Sequence, residues 1–193
     1  MMVKDLHLEK ETRTLAITTR KFILWLFIVS IIMLFGAFTS AYMVKKASGD
    51  WLTIDMPPIF YFNSIIIMLS SLTMHFSLIS ARKNNIKAIQ TGLVITMVLG
   101  IVFLAGQFVG WQKLVGESVY FVGNPSGSFV YVFTGVHGFH IISGLIFLSI
   151  VLVSAFRYKV HSKSTLQIEM CATYWHFLDG LWLYLFIFLL LNN

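Results

Sequence analysis

Five long apolar runs, separated by short polar stretches, organise this chain. They go from Phe22 to Val44, from Ile59 to Ser80 behind Pro57 and Pro58, from Ala88 to Trp111, from Phe129 to Phe156, and from Leu166 to Leu191. Each reaches the roughly 20 residues that a helix needs to cross about 30 Å of hydrocarbon. Lipid offers no partner to a free backbone N–H or C=O, so every run is predicted to be helical. The two prolines stand where a helix start tolerates them, and a Gly/Asn/Pro/Ser stretch over Gly123–Ser128 marks the turn into the fourth run. The first run is too long for the core of a signal peptide and no convincing cleavage site follows it. The expected fold is an all-α integral membrane protein, a bundle of five transmembrane helices. A polar tail over 1–21 precedes a single membrane domain over 22–193, with spans near 22–44, 59–80, 88–111, 129–156 and 166–191. The loops leave no room for a soluble catalytic module, and no internal repeat or low-complexity stretch is present.

Composition agrees with that reading. Of 193 residues, 58% are hydrophobic and 11% are charged, against about 25% charged in a soluble domain. A mean hydropathy of +0.82 exceeds what a soluble fold of this size can cover with polar surface. The net charge of +6 would suggest nucleic acid in a soluble protein, but here the basic residues flank apolar runs and act as topology signals. Eleven lysines and arginines fall on the N-terminal side: Lys4, Lys10, Arg13, Arg20, Lys21, Arg82, Lys83, Lys87, Arg157, Lys159 and Lys163. Only Lys45, Lys46 and Lys113 fall on the other. The N-terminus is therefore expected in the cytoplasm and the C-terminus outside, in the periplasm of a bacterium. The single cysteine, Cys171, excludes an intrachain disulfide and reads as a small apolar filler.

The informative residues are the polar ones inside apolar runs. The second run holds His75, the fourth His137 and His140, the fifth Glu169, His176 and Asp179. A carboxylate in the membrane costs several kcal/mol unless it is paired, so its presence needs a reason. His137 and His140 lie 9 and 12 residues past Ser128, roughly 14 to 18 Å into the membrane; Asp179 lies at a similar depth on the antiparallel fifth helix. The i, i+3 spacing places each pair on one helix face, so four polar side chains on adjacent helices could meet. Three readings are open: a buried network that fixes helix packing, histidine ligation of haem or a metal, or a relay for protons or ions. Tyr174, Trp175, Trp182 and Tyr184 read as core packing and interface anchors. Gly106 with Gly110, and Gly36 with Ser40, have the small-xxx-small spacing that lets helix backbones approach.

Two of these segments carry a resemblance. Phe133–Gly144, FTGVHGFHIISG, resembles the T-G-x-H-G-x-H-x-x-x-G signature of subunit III of haem-copper oxidases, through Gly135, His137, Gly138, His140 and Gly144. Glu169–Trp182, EMCATYWHFLDGLW, is similar to that family's last-helix pattern E-x-x-x-x-Y-W-H-F-x-D-x-x-W, through Glu169, Tyr174, Trp175, His176, Asp179 and Trp182. Weaker likeness covers Phe27–Tyr42 and Pro57–Ser80, so nearly the whole chain takes part. The chain looks like the bacterial five-span form, without the first two of seven spans. Where the family often has a Ser-Glu pair in the early span, this chain has Ser30-Ile31, so a role tied to that glutamate does not carry over.

The resemblance implies a non-catalytic subunit with no catalytic residue, haem or metal of its own; haem and copper belong to its partners. It implies packing against oxidase subunit I, with subunit II in the same complex, bound phospholipid in a cleft, and support of proton uptake and long-term stability. The complex would oxidise cytochrome c, reduce oxygen to water and pump protons in aerobic electron transport. His137, His140, Glu169, His176 and Asp179 then read as a structural polar network. Such a chain is expected to be a multi-pass protein of the bacterial inner membrane, with no nucleic-acid partner. Still open are a quinol oxidase subunit, an accessory protein of a nitric oxide reductase, membership of a larger respiratory assembly and, in another class, a small His/Asp-based haem protein or ion transporter.

Overall fold

A computed structural model describes residues 2–49, 51–157 and 165–192, with side chains from residue 19 onward. Lys159 and Lys163, and the side chains of Lys4, Lys10 and Arg13, which the charge count uses, lie outside the described residues. The described residues form five helices: α1 Met2–Ala47, α2 Pro58–Arg82, α3 Ile86–Gly116, α4 Pro125–Phe156 and α5 Leu166–Asn192. All five are long and apolar enough to cross a membrane, with the apolar part of α1 beginning at Thr19. The protein is a multi-pass membrane protein, and among the described residues there is no strand. Residues 2–21, polar in sequence, continue α1 as helix.

Local chemistry sets the helix ends. Pro58 opens α2, its missing N–H costing nothing in the first turn. The turn into α3 runs through Asn84 at φ 57°, a left-handed conformation that asparagine tolerates. Asn85 then caps α3, its side-chain oxygen accepting from Ala88 N at 3.3 Å. Asn124 does the same for α4, accepting from Ser126 N at 2.9 Å, with Pro125 in the first turn.

Helix α5 sits at the centre, touching α1, α2 and α4; α3 closes the bundle between α2 and α4. Half of the apolar window of α5 is buried against 22% for α1, which among the described residues leans on α4 and α5 alone. Small residues bring α2 and α3 together. A Cβ on Gly110 would lie 2.9 Å from the Phe60 ring, and one on Gly106 would strike the Asn63 amide. The predicted packing role of Gly106 and Gly110 is thus seen in the fold, whereas a Cβ on Gly36 would meet nothing within 4 Å. At the Asn192 end, Tyr42 donates to the Asn192 carbonyl at 2.9 Å, and Lys46 Nζ donates to the same oxygen. A cation there complements the C-terminal end of the α5 dipole.

Candidate functional site

Helix α5 is fastened to its neighbours by the polar tips of its aromatic residues. Trp175 Nε1 donates to Ser70 Oγ at 3.0 Å, and Trp182 Nε1, two turns further on, donates to Ser64 Oγ at 3.0 Å. Both serines are on α2. Tyr174 Oη and Ser143 Oγ on α4 share a hydrogen bond at 2.7 Å. An indole or phenol buried in this way gives apolar area along its body and direction at its tip. Each interhelical bond within a membrane contributes about 0.6 to 2 kcal/mol. The bulk is accommodated by glycine: a Cβ on Gly100 would lie 2.9 Å from Trp175, and one on Gly144 would lie 3.0 Å from Leu178. Gly135 and Gly138 are less constrained, since a Cβ there would stand 3.8 Å from Trp111 and 3.9 Å from Leu104. Similar bonds join the other helices, Thr73 to Thr96 at 2.8 Å and Trp111 Nε1 to Thr134 Oγ1 at 2.9 Å. The α2 serines that receive the indoles lie in Pro57–Ser80, where the sequence offered only the weaker likeness and singled out neither of them.

The five polar residues singled out in sequence occupy separate surroundings, and no hydrogen bond joins any two of them among the described residues. His137 is wholly buried, its ring 5.3 Å from Trp182 and 5.9 Å from Phe103, with neither nitrogen partnered. His140 turns towards α1, its ring 5.9 Å from Phe35, and Nδ1–H donates to the Val136 carbonyl at 2.8 Å. Three residues along a helix turn a side chain by about 60°, enough to give these two histidines different neighbours. Glu169 sits at the far end of α5, where Thr165 donates to it at 2.9 Å and Lys21 Nζ lies 3.7 Å away. His176 Nδ1 and Ser71 Oγ share a bond at 2.6 Å, and the His75 ring is 6.0 Å from that of His176. Asp179 is buried with both carboxylate oxygens unpartnered. Ser71 stands beside that carboxylate and shares its bond with His176, without meeting hydrogen-bond geometry to Asp179.

Two further buried amides escaped sequence reasoning, Asn63 on α2 and Gln107 on α3, whose side-chain atoms are also unpartnered. Uncharged and lying inside apolar runs, they gave no spacing signal. Ile31, at the place of the family's frequent glutamate, is buried in the apolar core. Among the described residues no three His, Cys, Asp or Glu side chains come close enough to hold a metal ion. The arrangement is that of a helix-packing site whose polar groups orient helices against one another.

The class so defined is a five-helix membrane protein whose most specific residues fasten its last helix. The chain matches the family model described as cytochrome c oxidase subunit III over residues 3–192. It belongs to that family, subunit III of the haem-copper oxidases. It is similar to the cytochrome bo(3) ubiquinol oxidase subunit 3 of Buchnera aphidicola, 30% identical over 88% of this chain and 92% of the relative. It is also similar to the cytochrome c oxidase subunit 3 of Chondrus crispus, 32% identical over 84% of this chain and 62% of the relative. With the protein of the same name from Synechocystis it shares 32% identity over 87% of this chain and 73% of the relative.

Proposed function

We propose that this chain is the non-catalytic subunit III of a respiratory cytochrome c oxidase in a bacterial cell membrane, holding the complex together while haem and copper in its partners do the chemistry. The observation that carries this reading is the use of the shared motif residues. Tyr174, Trp175 and Trp182 spend their polar groups on helix-to-helix bonds, and Gly144 makes room for α5. None of these is left facing a substrate. Partners I and II follow from the family, as does oxygen reduction coupled to proton pumping by the whole complex. The excess of lysine and arginine on the N-terminal side supports a cytoplasmic N-terminus. Bound phospholipid is supported by a cavity of about 840 Å³ between the ends of α1 and α4, where Lys45 and Ser48 stand over apolar Ala41, Val44 and Phe129. A cationic group at the mouth of an apolar cavity suits a phosphate headgroup with its acyl chains below.

A second reading, a subunit of a quinol oxidase, is supported by the likeness to the ubiquinol oxidase relative from Buchnera aphidicola. Oxygen consumption by the purified complex separates them. Turnover with reduced cytochrome c, and a subunit II carrying a copper-binding soluble domain, supports the first reading. Turnover with quinol alone, and a subunit II without that domain, establishes the second.

A further inference from the structure

The lateral surface of this bundle is of two kinds. Along α4 the outward row is Phe139, Ile142, Ile146, Ile150 and Val153, all large, apolar and about half exposed or more. That is a surface lipid tails can cover. The surface where α5 runs between α1 and α2 differs in both chemistry and shape. On α2 the His75 side chain is exposed within the spanning segment and makes no hydrogen bond among the described residues. It lies seven residues from the Arg82 end of α2, about 10 Å along the helix axis. Beside it His176 is partly buried, its Nδ1 bonded to Ser71 and its Nε2 enclosed within the chain, so His75 carries the one imidazole on this face that another chain can reach. His176 also lines a groove of about 390 Å³ between α1 and α5, with Ile32, Gly36, Gly180 and Tyr184. Gly36 and Gly180 are exposed, and a Cβ on either would meet no atom within 4 Å. These glycines therefore serve no close approach inside the chain. They leave an open trough in its surface.

Hydrocarbon gives an imidazole nothing to bond with, and ionisable side chains in membrane segments face protein or water rather than lipid. Small residues on a spanning helix let another helix come close, and lipid gains nothing from them. We propose that the α1–α5–α2 face, with Gly36 and Gly180 as its trough and His75 as its polar contact, is where a transmembrane helix of a larger oxidase subunit docks, presenting a hydrogen-bonding side chain to His75. This rests on the oxidase-subunit reading, since relatives named as third subunits belong to complexes of unlike chains. The occupant is accordingly a different subunit and not a second copy.

The test uses the whole complex in native membranes. A photocrosslinking amino acid replaces Tyr184, at the groove, or Phe139, on the apolar α4 row. Crosslinking to a larger subunit from position 184 and not from 139 is expected. Crosslinks from 184 only to a second copy of this chain, only to lipid, or to the larger subunit from 139 alone, overturn the proposal. In parallel, Gly180→Leu and Gly36→Leu add bulk where the chain itself has room, so the bundle still folds. Each is expected to lower the larger subunit recovered per chain at least ten-fold, with Ile146→Trp unchanged. His75→Leu should lower it several-fold, and His75→Gln should restore part of the loss. Recovery at the wild-type level in both glycine variants overturns the proposal. If the wild-type chain brings down no haem-bearing subunit, the oxidase reading itself fails; if wild type and glycine variants bring it down equally, only this docking face fails.

Discussion

Two sets of polar groups lie within three turns of each other on α5, and the fold treats them oppositely. Tyr174, Trp175 and Trp182 each find a serine hydroxyl on α4 or α2. His176 keeps one nitrogen free and Asp179 keeps both oxygens free. Both sets belong to the same stretch of sequence and to the same family pattern. The difference teaches that one motif can hold two kinds of group: three aromatic residues complete the chain's packing, while the histidine and the aspartate are enclosed short of partners. A buried polar group without a partner costs about 1 to 3 kcal/mol, so such groups subtract from the stability of the bundle where the aromatic residues add to it.

The sharpest way to break this comparison is to remove an aromatic residue of the first set. Trp175 is wholly buried between α2, α3 and α4, so Trp175→Ala should cost about 3 to 5 kcal/mol. Unfolding of the isolated chain in mixed micelles reads it, and a loss below about 1 kcal/mol would mean the indole is not a packing element. Next comes crowding: Gly144→Val should cost about 1 to 3 kcal/mol, because even a first carbon there would stand 3.0 Å from Leu178, whereas Gly180→Ala in the same assay should change nothing. The second set should behave differently. With no partner to orphan, Asp179→Leu should leave the isolated chain as stable as before or raise its stability by about 1 to 3 kcal/mol. A loss in the isolated chain as large as that of Trp175→Ala would mean that Asp179 has an intramolecular partner after all. The smallest effect is that of Trp182→Phe, which keeps most of the ring and deletes one bond to Ser64. About 1 kcal/mol is expected, since Ser64 keeps its bond to the Phe60 carbonyl at 2.9 Å.

Much of the fold was legible because lipid makes the code simple. Length and hydropathy place five helices, and Pro57, Pro58 and the Gly123–Ser128 stretch mark two of the starts, whereas the Asn85 cap of α3 shows only in the structure. The site was legible in part. Residue types gave the aromatic and histidine positions, and Gly106 with Gly110 gave a close approach. Which helix receives each group was not legible, because depth and facing are coarse while hydrogen bonding needs a register good to a fraction of a turn. His137 and His176 each open a polar pair with i, i+3 spacing, yet one meets Trp182 and the other Ser71. Nor can spacing alone tell a glycine that admits a neighbour within the chain from one that leaves room for another chain. Gly110 and Gly36 look alike in sequence, and only the first has an atom against it.

The central claim is that the histidines serve packing and assembly and that the chain is a non-catalytic oxidase subunit. It is tested most directly by recovering the tagged chain from native membranes in mild detergent, recording an optical spectrum and identifying its partners, beside the same chain expressed alone with ample haem. The account predicts haem bands together with two larger oxidase subunits in the first sample, and no Soret band in the second. A Soret band carried by the isolated chain would make His137, His140 or His176 a ligand and contradict the account.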